Sequence, residues 1–432
     1  MKILIKNGRV VDPASKFDQT ADVAIAAGRI VSIGESNGFN AARTIDAQGF
    51  VVLPGLVDLA ARLREPGYEH EGMLESELAA AVAGGVTSLV CPPDTDPVLD
   101  EPGLVEMLKF RAEKLHQARV FPLGALTRKL EGDELTEMVE LTEAGCVGFS
   151  QAETPLANTQ VMQRAFQYAS TFGYTVWLRP QELYLGRGVA ASGSLATRLG
   201  LPSVPVAAET IALHTIFELV KNTGARVHLC RLSSADGVEL VRQAKAQKLP
   251  VTCDVSINSL HLTDHDIGYF DSRARLNPPL RQQRDRDALR AALADGTIDA
   301  LVSDHTPVDE DAKTLPFGEA EPGATGMELL LALAHRWGEE SGAGLQRALA
   351  VVTSAPAKVL GSSLGTLQAS IGQLAAGGVA DLVVFDPKAE WTVMPGELRS
   401  QGKHTPFAGW PMHGRVRCTI AAGQVAYEAL DR

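Results

Sequence analysis

Between about residues 54 and 363, apolar strand-like runs alternate with amphipathic helical stretches, the pattern of repeated strand–helix units laid around a parallel sheet. Strands are expected near 55–60, 86–91, 119–125, 147–150, 175–179, 226–231, 250–255 and 299–303. Eight such strands in one stretch of this length fit a (β/α)8 barrel with some insertions. The intervening helices are legible too. Glu71–Gly84 carries Leu74, Leu78, Ala81 and Val82 at helical spacing and stops at Gly84-Gly85, and residues 235–247 repeat the pattern with Val238, Leu240 and Val241.

The two ends have a different texture. Short strands separated by turn signals occupy the first 50 or so residues (Ile3–Lys6, Arg9–Val11, Val23–Ala26, Ile30–Ile33) and return in the tail at Ala380–Pro387, Val416–Ala421 and Val425–Tyr427. A chain of 432 residues with a hydrophobic fraction of 45% can fill one large barrel and a smaller satellite. Its net charge of −12 argues against nucleic acid or an anionic membrane surface as the main partner. The five cysteines (Cys91, Cys146, Cys230, Cys253, Cys418) are widely spaced, show no CxxC pair and read as small buried hydrophobes. The N-terminus reads as a strand broken by lysine, no run approaches membrane-spanning length, and a cytoplasmic location is expected.

Residues 54–67, Pro-Gly-Leu-Val-Asp-Leu-Ala-Ala-Arg-Leu-Arg-Glu-Pro-Gly, carry a specific signature. The stretch resembles the first-strand segment of the dihydroorotase branch of the amidohydrolases, Asp-x-His-x-His-x-Arg, with Asp58, Arg64, Glu65, Pro66 and Gly67 matching. Asn277-Pro278-Pro279-Leu280-Arg281, Ser303-Asp304-His305-Thr306-Pro307, Gly326-Met327-Glu328 and Thr405-Pro406-Phe407-x-Gly409-Trp410 extend the resemblance over essentially the whole chain. It implies an amidohydrolase-type (β/α)8 TIM barrel at 54–363 beside a small β-sandwich domain built from 1–53 and 364–432.

The same resemblance allows the active site to be compared position by position. The first-strand histidines fall on Ala60 and Arg62. The bridging carboxylate after strand 4 falls in Gly148-Phe149-Ser150-Gln151-Ala152-Glu153, leaving Gln151 and Ala152 at the ligand positions and Glu153 as a weak substitute. Arg179 and Arg231 replace the histidines after strands 5 and 6, and of the six ligand positions Asp304 alone is retained. One carboxylate does not hold a catalytic zinc, which takes about three protein ligands. The sequence therefore predicts no metal and no zinc cofactor, with Arg62, Arg179 and Arg231 pairing with Asp304 as an internal plug.

On the substrate side, Arg64 and Asn277 match residues that hold a carboxylate in dihydroorotases, and His305 matches the neighbour of the catalytic aspartate. Asp94, in Pro92-Pro93-Asp94-Thr95, puts a carboxylate where the family has asparagine. Arg64 also admits a plain structural reading as a salt bridge to Glu65 or Asp304. His261 and His265 are the one close histidine pair and read as a solvated loop; His228 reads as a satisfied core residue.

Three functions follow. The first is a noncatalytic dihydroorotase homologue, not an enzyme, acting as an assembly subunit with the aspartate carbamoyltransferase catalytic chain in pyrimidine biosynthesis, as a homodimer within a larger complex. The second is a metal-independent amidohydrolase acting on a cyclic amide, with Asp304 as base and an arginine stabilising the oxyanion; pairing with arginine is expected to depress the Asp304 pKa and weaken it as a base. The third is a sensor that binds an anionic ligand in the arginine-lined mouth.

Overall fold

The computed structural model describes residues 2–36 and 38–429. Its central body is a ring of parallel strands: Leu56–Asp58, Val86–Cys91, Arg119–Pro122 continuing into Gly124–Ala125, Phe149–Ser150, Thr175–Leu178, Arg226–Leu229, Val251–Ser256 and Ala300–Val302. The ring closes through a parallel bridge between Ala61 and His305, with Arg62 N donating to His305 O at 2.8 Å and His305 N to Ala60 O at 3.2 Å. The eight-strand barrel read from the alternation is present, with strand limits within a few residues of those expected.

Helices cover the outside of the ring. The first, Leu74–Ala83, begins three residues later than its apolar spacing suggests, because the buried Glu65 carboxylate accepts the Leu74 amide at 3.0 Å and fixes the first turn there. Ala235–Ala246 is capped by Ser234, whose hydroxyl accepts from Gly237 N. Inside the ring, Val57, Val90, Leu123, Val147, Trp177 and Val302 pack together and are closed off by Leu360, Leu364 and Ile371. Leu360 and Leu364 lie in Gly344–Ala369, a stretch long and apolar enough by composition to cross a membrane, contrary to the expectation from the sequence. It is broken into separate helical segments that pack on the barrel, and more than half of it is buried.

Strands from both ends of the chain share one eight-stranded sheet. Lys2–Asp12 pairs antiparallel with Phe17–Ala26 and parallel with Arg43–Asp46 and Val51–Pro54; Val51–Pro54 then pairs antiparallel with Leu382–Thr392, which continues to Pro411–Ala421 and Gln424–Glu428. The period of two explains how the sheet attaches to the barrel. Leu382, Val384 and Val52 face the sheet's own core, whereas Val383, Phe385, Val51 and Leu53 face the barrel core. One strand thus serves two cores.

Candidate active site

The positions aligned with the family's ligand and substrate residues lie just past the C-terminal end of a barrel strand or in a loop at that rim, where barrel enzymes place their chemistry. Arg64, Ala152, Arg231 and Asp304 have φ of 64°, 50°, 56° and 52°. A non-glycine residue in this left-handed region carries backbone strain of about 1–3 kcal/mol, and such residues gather at functional sites.

The centre of the mouth is Glu153. Its carboxylate meets Arg62 Nη2 at 2.9 Å, Arg179 Nε at 2.7 Å and Asn277 Nδ2 at 2.8 Å, and it accepts a further hydrogen bond from Arg231 Nη2. Arg231 also donates from Nη1 to Asp304 Oδ1 at 3.0 Å, and Arg62 reaches Asp94 Oδ2 at 2.9 Å and Thr306 Oγ1 at 3.1 Å. The plug expected around Asp304 is therefore centred elsewhere: of the three arginines Arg231 alone pairs with Asp304, and Glu153, read as a weak candidate, receives all three. Arg62, Arg179 and Arg231 are matched by Asp94, Glu153 and Asp304, so the charges at the mouth balance.

Burial pushes the Glu153 carboxyl up, but Arg231, Arg179 and Arg62 together overcome it and hold it well below the usual range. Asp304 behaves in the opposite way. Burial raises its pKa more than Arg231 and Arg62 lower it, so the expected depression of this group is corrected. The reason is that one guanidinium contacts Asp304 directly and that guanidinium is shared with Glu153.

The remaining predicted residues divide into those that face the mouth and those that do not. Asn277 faces it. Arg64 lines it from one side, donating to Pro307 O at 2.8 Å and pairing with Glu71 at 2.6 Å and Glu321 at 3.7 Å, instead of with Glu65 or Asp304. His305 is fully buried and turned away, with Nε2 2.7 Å from Glu77 Oε2 and Nδ1 facing Gly326 N; it braces the barrel wall. Gln151 is also turned away, bonded to Thr127 Oγ1 and Leu130 O. Ala60 and Ala152 offer no polar atom at the positions they fill. Beside Glu153 remains a cavity of about 160 Å³, lined by Arg62, Arg64, Arg231, Asn277, Asp304 and Thr306 among others.

The metal implied by the family resemblance does not fit among the arginines. A divalent ion about 4 Å from one guanidinium is repelled by roughly 8 kcal/mol at an effective dielectric near 20. A different donor set lies beneath Arg231. His228, Cys230 and Asp254 place one ligand atom each within 4.8 Å of one another, a set that suits zinc in type and number. His228 Nε2 is 2.9 Å from Asp254 Oδ2 and its Nδ1 is 2.8 Å from Thr252 Oγ1, while burial pushes the Cys230 thiol well above its ordinary value. The sequence pattern does not point to this group because it follows the aligned ligand positions, whereas His228 and Cys230 sit three residues and one residue before Arg231 and Asp254 lies on the next strand. The histidine pair 261/265 is no such group: His261 is buried on Leu333 O at 3.0 Å and His265 is exposed.

Comparison with known proteins decides the family. A Dihydro-orotase-like family model matches residues 49–237 and an Amidohydrolase family model matches residues 203–426. A dihydroorotase-like protein of Pseudomonas aeruginosa is 44% identical over 430 residues, covering 99% of this chain and 100% of the relative. The chain is a dihydroorotase-like amidohydrolase. A protein named dihydroorotase from Geobacter sp. (strain M21) is 39% identical over 431 residues, with 99% of this chain and 100% of that one covered. Among solved structures, L-hydantoinase from Arthrobacter aurescens superimposes with a TM-score of 0.88 at 25% identity, over 99% of this chain and 96% of that one.

Two expectations are overturned by these findings. Relatives matching this amidohydrolase over its whole length are named dihydroorotases, and its fold matches that of a hydantoinase, so the prediction that it is not an enzyme is corrected toward a hydrolase. The prediction of no metal is corrected as well, since the family is typically metal-dependent and His228, Cys230 and Asp254 form a donor set. Both expectations rested on the loss of histidine at four aligned positions, which says nothing about neighbouring side chains.

Proposed function

We propose that this amidohydrolase opens a cyclic amide or ureide ring by hydrolysis, at the arginine-lined mouth, on a substrate that carries an anionic group. One observation carries the reading: donors from Arg62, Arg179, Arg231 and Asn277 converge on a single carboxylate. A substrate oxygen taking the place of the Glu153 carboxylate meets the same donors, and preorganised donors of this kind stabilise the oxyanion of acyl transfer. Asp304, with a raised pKa, is the proton acceptor. Water adds to the ring carbonyl and gives its proton to Asp304. The C–N bond then breaks as that proton passes to the leaving nitrogen. Arg64, on the side wall, is placed to meet a substrate carboxylate. The charge of Asp94 is no obstacle, because Arg62 already neutralises it. His228, Cys230 and Asp254 would hold a divalent cation, whose chemistry when bound is to polarise a carbonyl and acidify water.

The reading is tested by following ring opening of dihydroorotate and of hydantoin by the purified chain, with Asp304→Asn as the control. Turnover by the wild type that Asp304→Asn abolishes supports it.

We further propose a place for the protein in the cytoplasm, as a homodimer bound to the aspartate carbamoyltransferase catalytic chain in a larger complex. The family resemblance carried by the first-strand and Asn277–Arg281 segments supports this. Co-expression of the two chains followed by size-exclusion chromatography tests it: co-migration is expected, and separate elution under all salt conditions would remove the proposal.

A further inference from the structure

A second cavity, far larger than the mouth, lies at the opposite end of the barrel. It has a volume of about 750 Å³ and is walled by the N-terminal ends of strands Arg119–Pro122, Thr175–Leu178 and Arg226–Leu229, by residues 360–367 and by the turn at 421–424 of the terminal sheet. The N-terminal face of such a barrel ordinarily serves stability, and a space within the range of about 300–1,000 Å³ typical of ligand sites is unexpected there.

Three features of its wall are chemically unspent. Lys109 and Arg226 line the cavity with no carboxylate partner among the described residues, whereas the neighbouring Arg119 is held by Asp381. The Lys109 ammonium lies directly over Gly145, where a Cβ would come within 2.1 Å of it. Secondly, Gln117 Oε1 is buried against this cavity and has no hydrogen-bond donor among the described residues, an arrangement that costs roughly 1–3 kcal/mol unless a donor arrives. Thirdly, Phe172 and Tyr174 stack at 5.6 Å and 14°, and Phe172 is half exposed, so a flat apolar face is open. Among the described residues Glu113 is the single carboxylate side chain on the wall, leaving an excess of positive charge.

We propose that this cavity is a ligand site, separate from the barrel mouth, for a small anion bearing a flat ring and a hydrogen-bond donor, the chemistry of a nucleotide. Phosphate groups meet Lys109 and Arg226 by charge-assisted hydrogen bonds. The ring lies against Phe172 and Tyr174, and an amino or hydroxyl hydrogen satisfies Gln117 Oε1.

The test is calorimetric titration of the full-length protein with ATP, with adenosine and inorganic tripolyphosphate as part-ligands. Saturable ATP binding is expected, weakened about tenfold or more in Lys109→Ala and in Arg226→Ala, each of which removes charge-assisted hydrogen bonds. Phe172→Ala, a change at an exposed residue that should fold normally, is expected to weaken ATP but not tripolyphosphate. Ring opening at the mouth should be unchanged in all three variants, and the binding test stands whether or not turnover is found. Absence of saturable ATP binding, or affinity unaffected by both cationic substitutions, would overturn the site. Tripolyphosphate binding as tightly as ATP would overturn the flat-ring part of the assignment.

Discussion

Arg231 holds Asp304 with one amino nitrogen, at 3.0 Å from Oδ1, and Glu153 with the other. Its own amide is fixed by Asp254 Oδ1 at 2.7 Å. A single guanidinium therefore links Asp304 to the side chain that fills the mouth. Replacement by alanine leaves two carboxylates with less compensation, and breaking a buried pair typically costs about 3–5 kcal/mol. Urea unfolding of Arg231→Ala is expected to show a loss of that order. Arg231→Lys should recover only part of it, since one ammonium does not span both partners.

Glu153 makes the stability of the protein depend on acid. Its pKa lies well below the usual 4.5 in the folded protein, so its contribution is complete above the unfolded value and is lost as pH falls through the folded value. Comparing thermal unfolding of the wild type and Glu153→Gln, the difference between them should be largest near neutrality and shrink below about pH 4.5. A difference that stays constant with pH would contradict the charge network. The variant should also be stabilised more than the wild type by added succinate, because its arginines lack their internal anion.

Asp304→Asn and His305→Gln should separate chemistry from architecture. Loss of a general base lowers turnover about 10²–10⁴-fold, and Asp304→Asn is expected to do so with little change in fold. His305 is buried against Glu77 on the far side of the strand end, so His305→Gln should lower the melting temperature first. Circular dichroism melts run beside the assay distinguish the two.

The His228, Cys230 and Asp254 group makes a prediction about metal content. Protein dialysed against zinc and then washed is expected to retain it, and Cys230→Ser should reduce the retained amount. Elemental analysis reads this independently of turnover. Equal retention by both proteins would place the metal elsewhere.

The barrel is legible because apolar strands and amphipathic helices repeat strongly, and the strand ends expected at 60, 179, 231 and 303 lie within two residues of Asp58, Leu178, Leu229 and Val302, where the strands end. The mouth was legible in its residue types but not in its pairing. Glu153 lies in a turn where a left-handed Ala152 decides its direction, and no periodicity reports that. Asp94 taken alone opposes an anionic substrate, but Arg62, distant in sequence, lies against it. His228 and Cys230 were each plausible as core residues, and only the adjacent strand carrying Asp254 turns them into a donor set. Such contacts join residues far apart in sequence, which local spacing does not encode.

The most direct measurement is the interconversion of dihydroorotate and its ring-opened form, followed in both directions with wild-type protein and with Asp304→Asn, with and without added zinc. The account predicts turnover by the wild type that is lost in Asp304→Asn. No turnover by the wild type in either direction, with zinc present and the protein folded, would contradict it and leave the arginine-filled mouth without a hydrolytic role.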